Sequence, residues 1–297
     1  MLVNLNGTLV PKEKAVISVF DHGLLYGDGV FEGIRAYRGR VFRLAQHLDR
    51  LYDSAKAILL EPPLSKAAMR AEILRTLAAN GLKDAYVRPV FTRGEGDLGL
   101  SPSQCRKPTY FIIADHIRLY PDATYRDGLA LITVPTRRNV AEALSPKIKS
   151  LNYLNNILAK IEAGQRGALE AILLTQDGYV AECTADNLFI LRKGRLLTPP
   201  TWQGALEGVT REAVLELSRK AKLTAVEEPI TRYDIYTAQE ALMTGTAAEI
   251  VPVTSLDGRA IGSGAPGPVT KRLMAAFKAL TLSSGDRIPA KPKGRAA

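Results

Sequence analysis

The stretch "SPKIKSLNYLNNILAKIEAG", residues 145–164, sets two lysines, Lys147 and Lys149, ahead of an apolar helical pattern that begins near Asn152. Ile148 and Leu151 give the preceding segment an extended, packed character. Lysine is the side chain most easily left in solvent, so a lysine at such a junction asks for a chemical reason. Its amine is a nucleophile only when deprotonated, and burial or a nearby cation favours that form. The local pattern does not choose between the two lysines, because alternate residues of an extended segment share a face.

Upstream, "VNLNGTLV" carries an Asn6-Gly7 hairpin signal, and "GVFEGIRAYRGRVFRL" forms a second hairpin turning at Arg38-Gly39. Leu44, Leu48, Leu51, Tyr52, Ala55, Ile58 and Leu59 recur at helical spacing. A second helix over about 65–79 stops at Asn80-Gly81, and "AYVRPVFTR" and "TYFIIADHI" read as strands. Residues 117–128, "IRLYPDATYRDG", read as a loop between domains. Downstream come the strand "ALITVPT", hairpins at Asp177-Gly178 and Lys193-Gly194, and a helix from Thr210 to Lys222. "EALMTGTAAEIVPV" holds two strands around a small-residue turn, and a final helix lies near 268–280. Strands and helices do not alternate strictly, which predicts an α+β pair of domains rather than a doubly wound sheet. The expected division is a smaller domain over 1–116, the loop 117–128, a larger domain over 129–283 and a basic, disordered tail over 284–297.

The chain has 297 residues, of which 46% are hydrophobic and 24% charged, as in ordinary globular proteins. The formal charge of +10 reads as solvated surface plus the tail cations Arg287, Lys291, Lys293 and Arg295. No stripe of interleaved aromatic and basic residues accompanies it, so nucleic acid is not the expected partner. No apolar run approaches the ~18 residues of a membrane span. The N-terminus lacks an apolar signal core, and Cys105 and Cys183 lie far apart, so the expected setting is a reducing cytoplasm.

Two glycine patterns, "GEGDLG" at 94–99 and "GSGAPG" at 262–267, lack the strand-to-helix setting of a dinucleotide fingerprint. His22, His47 and His116 have no metal-ligand spacing, and no nucleophile elbow occurs. No metal is expected. Four features remain. Lys149 is one of two candidate amines. Glu182, between Ala181 and Cys183, reads either as an exposed acid beside a hairpin or as a half-buried carboxylate that needs a cationic partner. "EGVTREAV" and "TGTAAE" are small-residue turns whose free N–H groups suit a phosphate. Arg50 lies off the apolar face of its helix, and periodicity alone makes it a surface arginine.

Taken in order, "DHGLLYGDGVFEGIRAY", "HLDRLYDSAK", "AYVRP", "KSLNYLNNILAK", "AECTADNLF", "LEGVTREAV" and "MTGTAAEIVPV" resemble the class IV, or fold-type IV, pyridoxal-phosphate aminotransferases, and among them the branched-chain family. The resemblance spans about residues 3–280. It implies the two-domain fold of the D-amino acid aminotransferase type, with pyridoxal 5'-phosphate as cofactor. It also implies that Lys149, rather than Lys147, forms the Schiff base and relays the proton. Glu182 would pair with the ring nitrogen, and Arg50, Val209, Thr210 and Thr246 would hold the phosphate. Tyr153 would reach the phenolic oxygen. Tyr86, Arg88, Thr246 and Ala247 would take the substrate carboxylate, Phe31 and Tyr153 would line the side-chain pocket, and Arg35 would meet the second substrate. Tyr26 would project into a partner subunit's site, which implies a homodimer or larger assembly with shared sites.

The implied reaction is ping-pong transfer of the amino group between L-leucine, L-isoleucine or L-valine and 2-oxoglutarate. The D-amino acid aminotransferase and the aminodeoxychorismate lyase of the same fold are the alternatives. Phe31 stands where the D-specific relatives usually have tyrosine. Two departures touch selectivity: Cys183 replaces the usual glycine after Glu182, and Tyr120 is the only bulky candidate near the expected interdomain loop.

Overall fold

The computed structural model describes residues 1–117 and 119–290. The chain forms two compact units. The first comprises Met1–Ile117, the short segment Ile148–Asn152, and the chain from Thr281 onward; the second comprises the stretch ending at Lys147 and Tyr153–Leu280.

The first unit opens with strands β1 (Leu2–Leu5) and β2 (Thr8–Pro11), a short helix α1 (His22–Leu25), and strands β3 (Gly29–Phe31), β4 (Ile34–Tyr37) and β5 (Arg40–Val41). Helices α2 (Leu44–Ala57) and α3 (Lys66–Asn80) precede strands β6 (Ala85–Thr92) and β7 (Thr109–Asp115). Both early hairpins turn where the sequence predicts, at residues with positive φ: Asn6 and Gly7 at 48° and 85°, Arg38 and Gly39 at 46° and 81°. That conformation matches the right-handed twist of the flanking strands. Together with β17 (Asp286–Arg287), these strands make one antiparallel eight-stranded sheet, with β3, β4 and β7 all paired to β6. Leu44, Leu48, Leu51 and Ala55 of α2 pack with Val87, Phe91 and Ile112 of the sheet in one core. Each fully buried large side chain there contributes roughly 1.5–3 kcal/mol. Leu59 departs from the predicted apolar face: it follows the helix in a left-handed turn, φ 52°, and is 88% exposed.

The second unit contains α4 (Asp122–Asp127), β8 (Leu129–Thr133), α5 (Leu154–Gln165), β9 (Glu170–Leu174) and β10 (Val180–Cys183). Then come β11 (Asn187–Arg192), β12 (Arg195–Thr198), α6 (Val209–Lys220), β13 (Ala225–Glu227), α7 (Arg232–Tyr236), β14 (Glu240–Gly245), β15 (Glu249–Leu256) and β16 (Arg259–Ala260). Helix α8 (Pro268–Ser283) follows. The nine-stranded sheet runs β10-β9-β8-β15-β14-β11-β12-β13, with β16 beside β15. Strands β9, β8 and β15 are mutually parallel neighbours. In β9, Ile172 and Leu174 enter one core, whereas Ala171 and Leu173 meet Ala159 and Ala163 of α5 in another. A strand covered on both faces reads as the continuous apolar run "EAILL" rather than as an alternation.

Three expectations differ from these elements. Residues 122–127 are helical rather than loop, and residue 118 lies outside the described residues. Ile148–Asn152 belongs with the first unit although the surrounding chain belongs to the second. In the predicted tail, β17 (Asp286–Arg287) pairs with β5, and Arg70 Nε donates to the Asp286 carboxylate at 3.1 Å. Residues 291–297 of that tail lie outside the described residues.

Candidate active site

Lys149 runs beside β3 in the first unit. Its carbonyl accepts from the Phe31 N–H at 3.0 Å, and the Leu151 N–H donates to the Gly29 carbonyl at 2.9 Å. Its own N–H donates to Ser54 Oγ at 3.1 Å. With the backbone fixed on both sides, the Lys149 ammonium lies 4.7 Å from the centroid of the buried Phe31 ring. Lys147 has a different fate. Its ammonium pairs with Glu207 Oε1 at 2.8 Å, with side chains 46% and 59% exposed. The two lysines that strand alternation puts on one face thus occupy chemically unlike places.

Arg50 corrects the surface reading, since its side chain is only 12% exposed. Its Nε and Nη2 reach Glu32 Oε1 and Oε2 at 2.6 and 2.9 Å. His47 Nδ1 lies 2.7 Å from Glu32 Oε2, and the Gly33 N–H donates to the same oxygen at 3.1 Å. Burial alone would raise the Glu32 pKa, but the charges and hydrogen bonds of Arg50 and His47 hold it far below the usual carboxylate range. Burial lowers the pKa of His47 in turn; Glu32 opposes that shift, while Arg50 and Lys149 reinforce it. His47, Arg50 and Ser54 sit at i, i+3 and i+7 on α2, a polar stripe beside the apolar one.

The next strand face holds Tyr86 and Arg88. Arg88 Nη2 donates to the Tyr86 hydroxyl at 2.8 Å, and the guanidinium lies 4.6 Å from the centre of the Phe31 ring. Arg88 Nε is buried without a hydrogen-bond partner among the described residues. Arg35 is paired across the ladder with Tyr86 and stacks 4.9 Å over Tyr37. Glycine at position 33 leaves room for Tyr86, because a Cβ there would come within 2.1 Å of its hydroxyl and push the side chain aside. Tyr26 follows α1, with its ring edge-on to His22 and its hydroxyl donating to the Leu98 carbonyl at 3.1 Å; it is 37% exposed.

In the second unit Glu182 is buried, which excludes the exposed-acid reading. The ladder register of β10 slips between Val180 and Glu182, and such a bulge re-aims the side chain after it. Glu182 Oε1 pairs with Arg138 Nη2 at 2.8 Å, and Oε2 accepts from the Leu206 N–H at 2.9 Å. Arg138 is itself fixed by the Gly204 carbonyl and by Asn156 Oδ1, at 3.0 and 2.8 Å. Asn187 donates to Glu182 Oε2 at 3.4 Å and pairs with Thr244 on β14. Asn187 Oδ1 would lie 2.0 Å from a Cβ at Gly208, the residue that opens α6.

Glycine therefore lets the start of α6 lie against this cluster. The N–H groups of Val209, Thr210 and Arg211 there, and those of Thr246 and Ala247 in the β14–β15 turn, donate to no acceptor among the described residues. Tyr153 occupies the N-cap position of α5 without a side-chain capping hydrogen bond. Cys183 is buried in the core, and burial pushes its thiol pKa well up. Tyr120 is a core residue whose hydroxyl donates to Glu170 at 3.2 Å, not a side chain of an exposed loop.

The family model for amino-transferase class IV matches residues 29–256. The chain belongs to the class IV aminotransferases. It is 51% identical over 288 residues to a putative branched-chain-amino-acid aminotransferase of Methanocaldococcus jannaschii, covering 97% of this chain and 99% of the relative. The Escherichia coli branched-chain amino acid aminotransferase structure superposes with a TM-score of 0.92 at 35% identity, covering 94% of each chain. A second solved branched-chain amino acid aminotransferase, the T.th. enzyme with pyridoxamine 5'-phosphate, gives 0.91 at 38% identity and 95% coverage of each.

Three residues that the sequence reading passed over hold candidate side chains in place: Glu32 and His47 beside Arg50 in the first unit, and Arg138 beside Glu182 in the second. His47 had a signal, a polar position at i−3 from Arg50 and i−7 from Ser54. Glu32 and Arg138 had none, because their partners are distant in sequence.

Proposed function

We propose that this class IV aminotransferase exchanges amino groups between the branched-chain L-amino acids and 2-oxoglutarate, using pyridoxal 5'-phosphate. The observation that carries the reading is Lys149, held by backbone bonds on both sides and set against the Phe31 ring beside Arg88 and Tyr86. The residues fit the cofactor. Open N–H groups at Val209 and Thr210, where a helix begins, and at Thr246 suit phosphate oxygens, and buried Glu182 suits a protonated ring nitrogen.

When bound, the cofactor supplies an electron-withdrawing ring that stabilises negative charge on the substrate α-carbon. Lys149 would hold it covalently and, once released, its amine would take the α-proton and deliver it to the cofactor carbon that bears the transferred nitrogen, acting as base and then acid. Glu182, oriented by Arg138, keeps the ring nitrogen protonated. Arg50, held along one edge by Glu32, presents charge to the phosphate, and Tyr153 serves the phenolic oxygen. Tyr86 and Arg88, with the N–H groups of Thr246 and Ala247, orient the substrate carboxylate. Phe31 and Tyr153 favour a branched apolar side chain, and Arg35 receives the distal carboxylate of the second substrate.

The assembly proposed is at least a homodimer in which Tyr26 completes a neighbouring site. Leu154, Ile157, Leu158 and Ile161 form an exposed apolar stripe on α5 in the second unit. Val16, Ile17, Val19, Phe20, Leu24 and Leu25 are exposed near Tyr26 in the first. Apolar surface on this scale marks association. Among the described residues no helix is long and apolar enough to cross a membrane. With both cysteines unpaired, a cytoplasmic location fits.

Borohydride reduction followed by peptide mapping tests the amine: label is expected on Lys149, and label on Lys147 or Lys160 overturns the assignment. Half-reactions with paired L and D amino acids test the substrate. Reaction with L-leucine, L-isoleucine and L-valine is expected, and a preference for D-alanine or D-glutamate would replace this reading with the D-specific one.

A further inference from the structure

A cleft of about 480 Å³ in the second unit is lined by Arg137, Arg166, Arg232 and Arg259, together with Thr133, Leu174, Tyr236 and Asp257. It opens at the carboxyl ends of the adjacent parallel strands β9, β8 and β15, because Leu174 and Thr133 end the first two and Asp257 follows the third. In open sheets that contain parallel strands, this end is the one where ligands collect. The volume is that of a small-molecule site.

The charge of the cleft is one-sided. Elsewhere in the unit Arg126, Arg138, Arg192, Arg195 and Arg211 each reach a carboxylate. The four cleft arginines make no such ion pair among the described residues; Arg219 and Arg272, elsewhere in the unit, are the others that make none. Asp257 is the single carboxylate lining the cleft, and its oxygens are committed. Oδ1 accepts from the Thr133 N–H at 2.6 Å, and Oδ2 accepts from the hydroxyls of Thr133 and Tyr236 at 2.8 and 2.7 Å. Arg259 stacks 4.7 Å over the Tyr236 ring, which holds its guanidinium at the rim. Like charges gathered around one cleft repel one another, and an anion among them relieves the repulsion.

We propose that this cleft binds a small polyanion bearing two phosphoryl groups, at a site separate from the residues given catalytic roles. Planar guanidinium forks match phosphoryl oxygens two at a time, so several arginines facing one cleft select linked phosphates over a single one. Arg137 and Arg138 are consecutive: Arg138 is buried against Glu182, whereas Arg137 is exposed to the cleft. The site does not depend on the branched-chain reading and stands or falls by its own test.

Pyrophosphate, titrated calorimetrically into the holoenzyme at low salt, should bind once per chain and about tenfold or more tighter than inorganic phosphate. The double variant Arg166→Gln/Arg232→Gln should lose about tenfold or more in affinity. The control Arg219→Gln/Arg272→Gln, which alters arginines outside the cleft, should bind as the parent does. Absence of binding to the parent overturns the proposal. So does equal weakening in both double variants, which would mean diffuse surface charge. Unchanged binding in the cleft variant would place the anion elsewhere, the phosphate cradle at Val209 and Thr210 included, and overturns it as well.

Discussion

Glu32 in the first unit and Glu182 in the second are both buried carboxylates gripped by an arginine, yet their settings differ. Glu32 is enclosed by groups on α2 and in the β3–β4 connection: both oxygens meet Arg50, and one also meets His47 and the Gly33 N–H. Glu182 is held on one oxygen by Arg138 and on the other by a backbone N–H, with the Asn187 amide more distant at 3.4 Å. The first arrangement is a scaffold that orients a cation; the second orients the carboxylate itself. In the function proposed above, the same side chain serves structure in one place and chemistry in the other, and its partners decide which.

The sharpest way to break this contrast is Glu182→Gln. Turnover should fall by about a hundredfold or more, because a neutral amide no longer favours a protonated ring nitrogen. Stopped-flow half-reactions measure it, and an unchanged rate would make Glu182 a second scaffold. Glu32→Gln should act mainly on stability and cofactor retention. Losing one partner of a buried ion pair costs roughly 3–5 kcal/mol, which denaturant titration reads, while the half-reaction of the cofactor-saturated variant should change much less than in Glu182→Gln.

A smaller effect concerns pH. His47 is held neutral in the fold, with its pKa below the ordinary 6.5, so the unfolded chain takes up more protons once the pH drops below that value. Stability should fall gradually from there. Glu32, also depressed from its ordinary 4.5, contributes stability above that pH that is lost as the pH falls further. Glu32→Gln should abolish the second loss and enlarge the first, because Glu32 opposes the lowering of the His47 pKa, as thermal melts across the acid range would show. The smallest expected effect is that of Lys147→Met, which removes only a half-exposed ion pair. It should shift stability by less than about 1 kcal/mol and leave turnover unchanged. A large loss of activity would return Lys147 to the site.

Much of the fold was legible wherever the physics is local. Asn6-Gly7, Arg38-Gly39 and Lys193-Gly194 adopt positive φ as their residue types suggest, and Gly81 ends α3 in the left-handed conformation that glycine favours. Arg50 was not legible as a buried group, because periodicity registers the apolar stripe of α2 and is silent about a polar stripe beside it. Within the expected carboxyl-terminal tail, Asp286–Arg287 departs from the expectation for a related reason. The tail's composition suggests disorder, but a short strand needs only an open sheet edge, and β5 provides one.

By itself the sequence determined the hairpins, the longer helices, the α+β class and, through its ordered motifs, the family. These depend on backbone preference and residue spacing, which act over a few positions. The tertiary structure alone decided which lysine meets an apolar ring, which carboxylate is held by which arginine, and that Ile148–Asn152 leaves the unit of its neighbours to lie along β3. Charge burial and pairing depend on groups far apart in the chain, such as Glu182 and Arg138, and only the folded backbone brings such groups within reach.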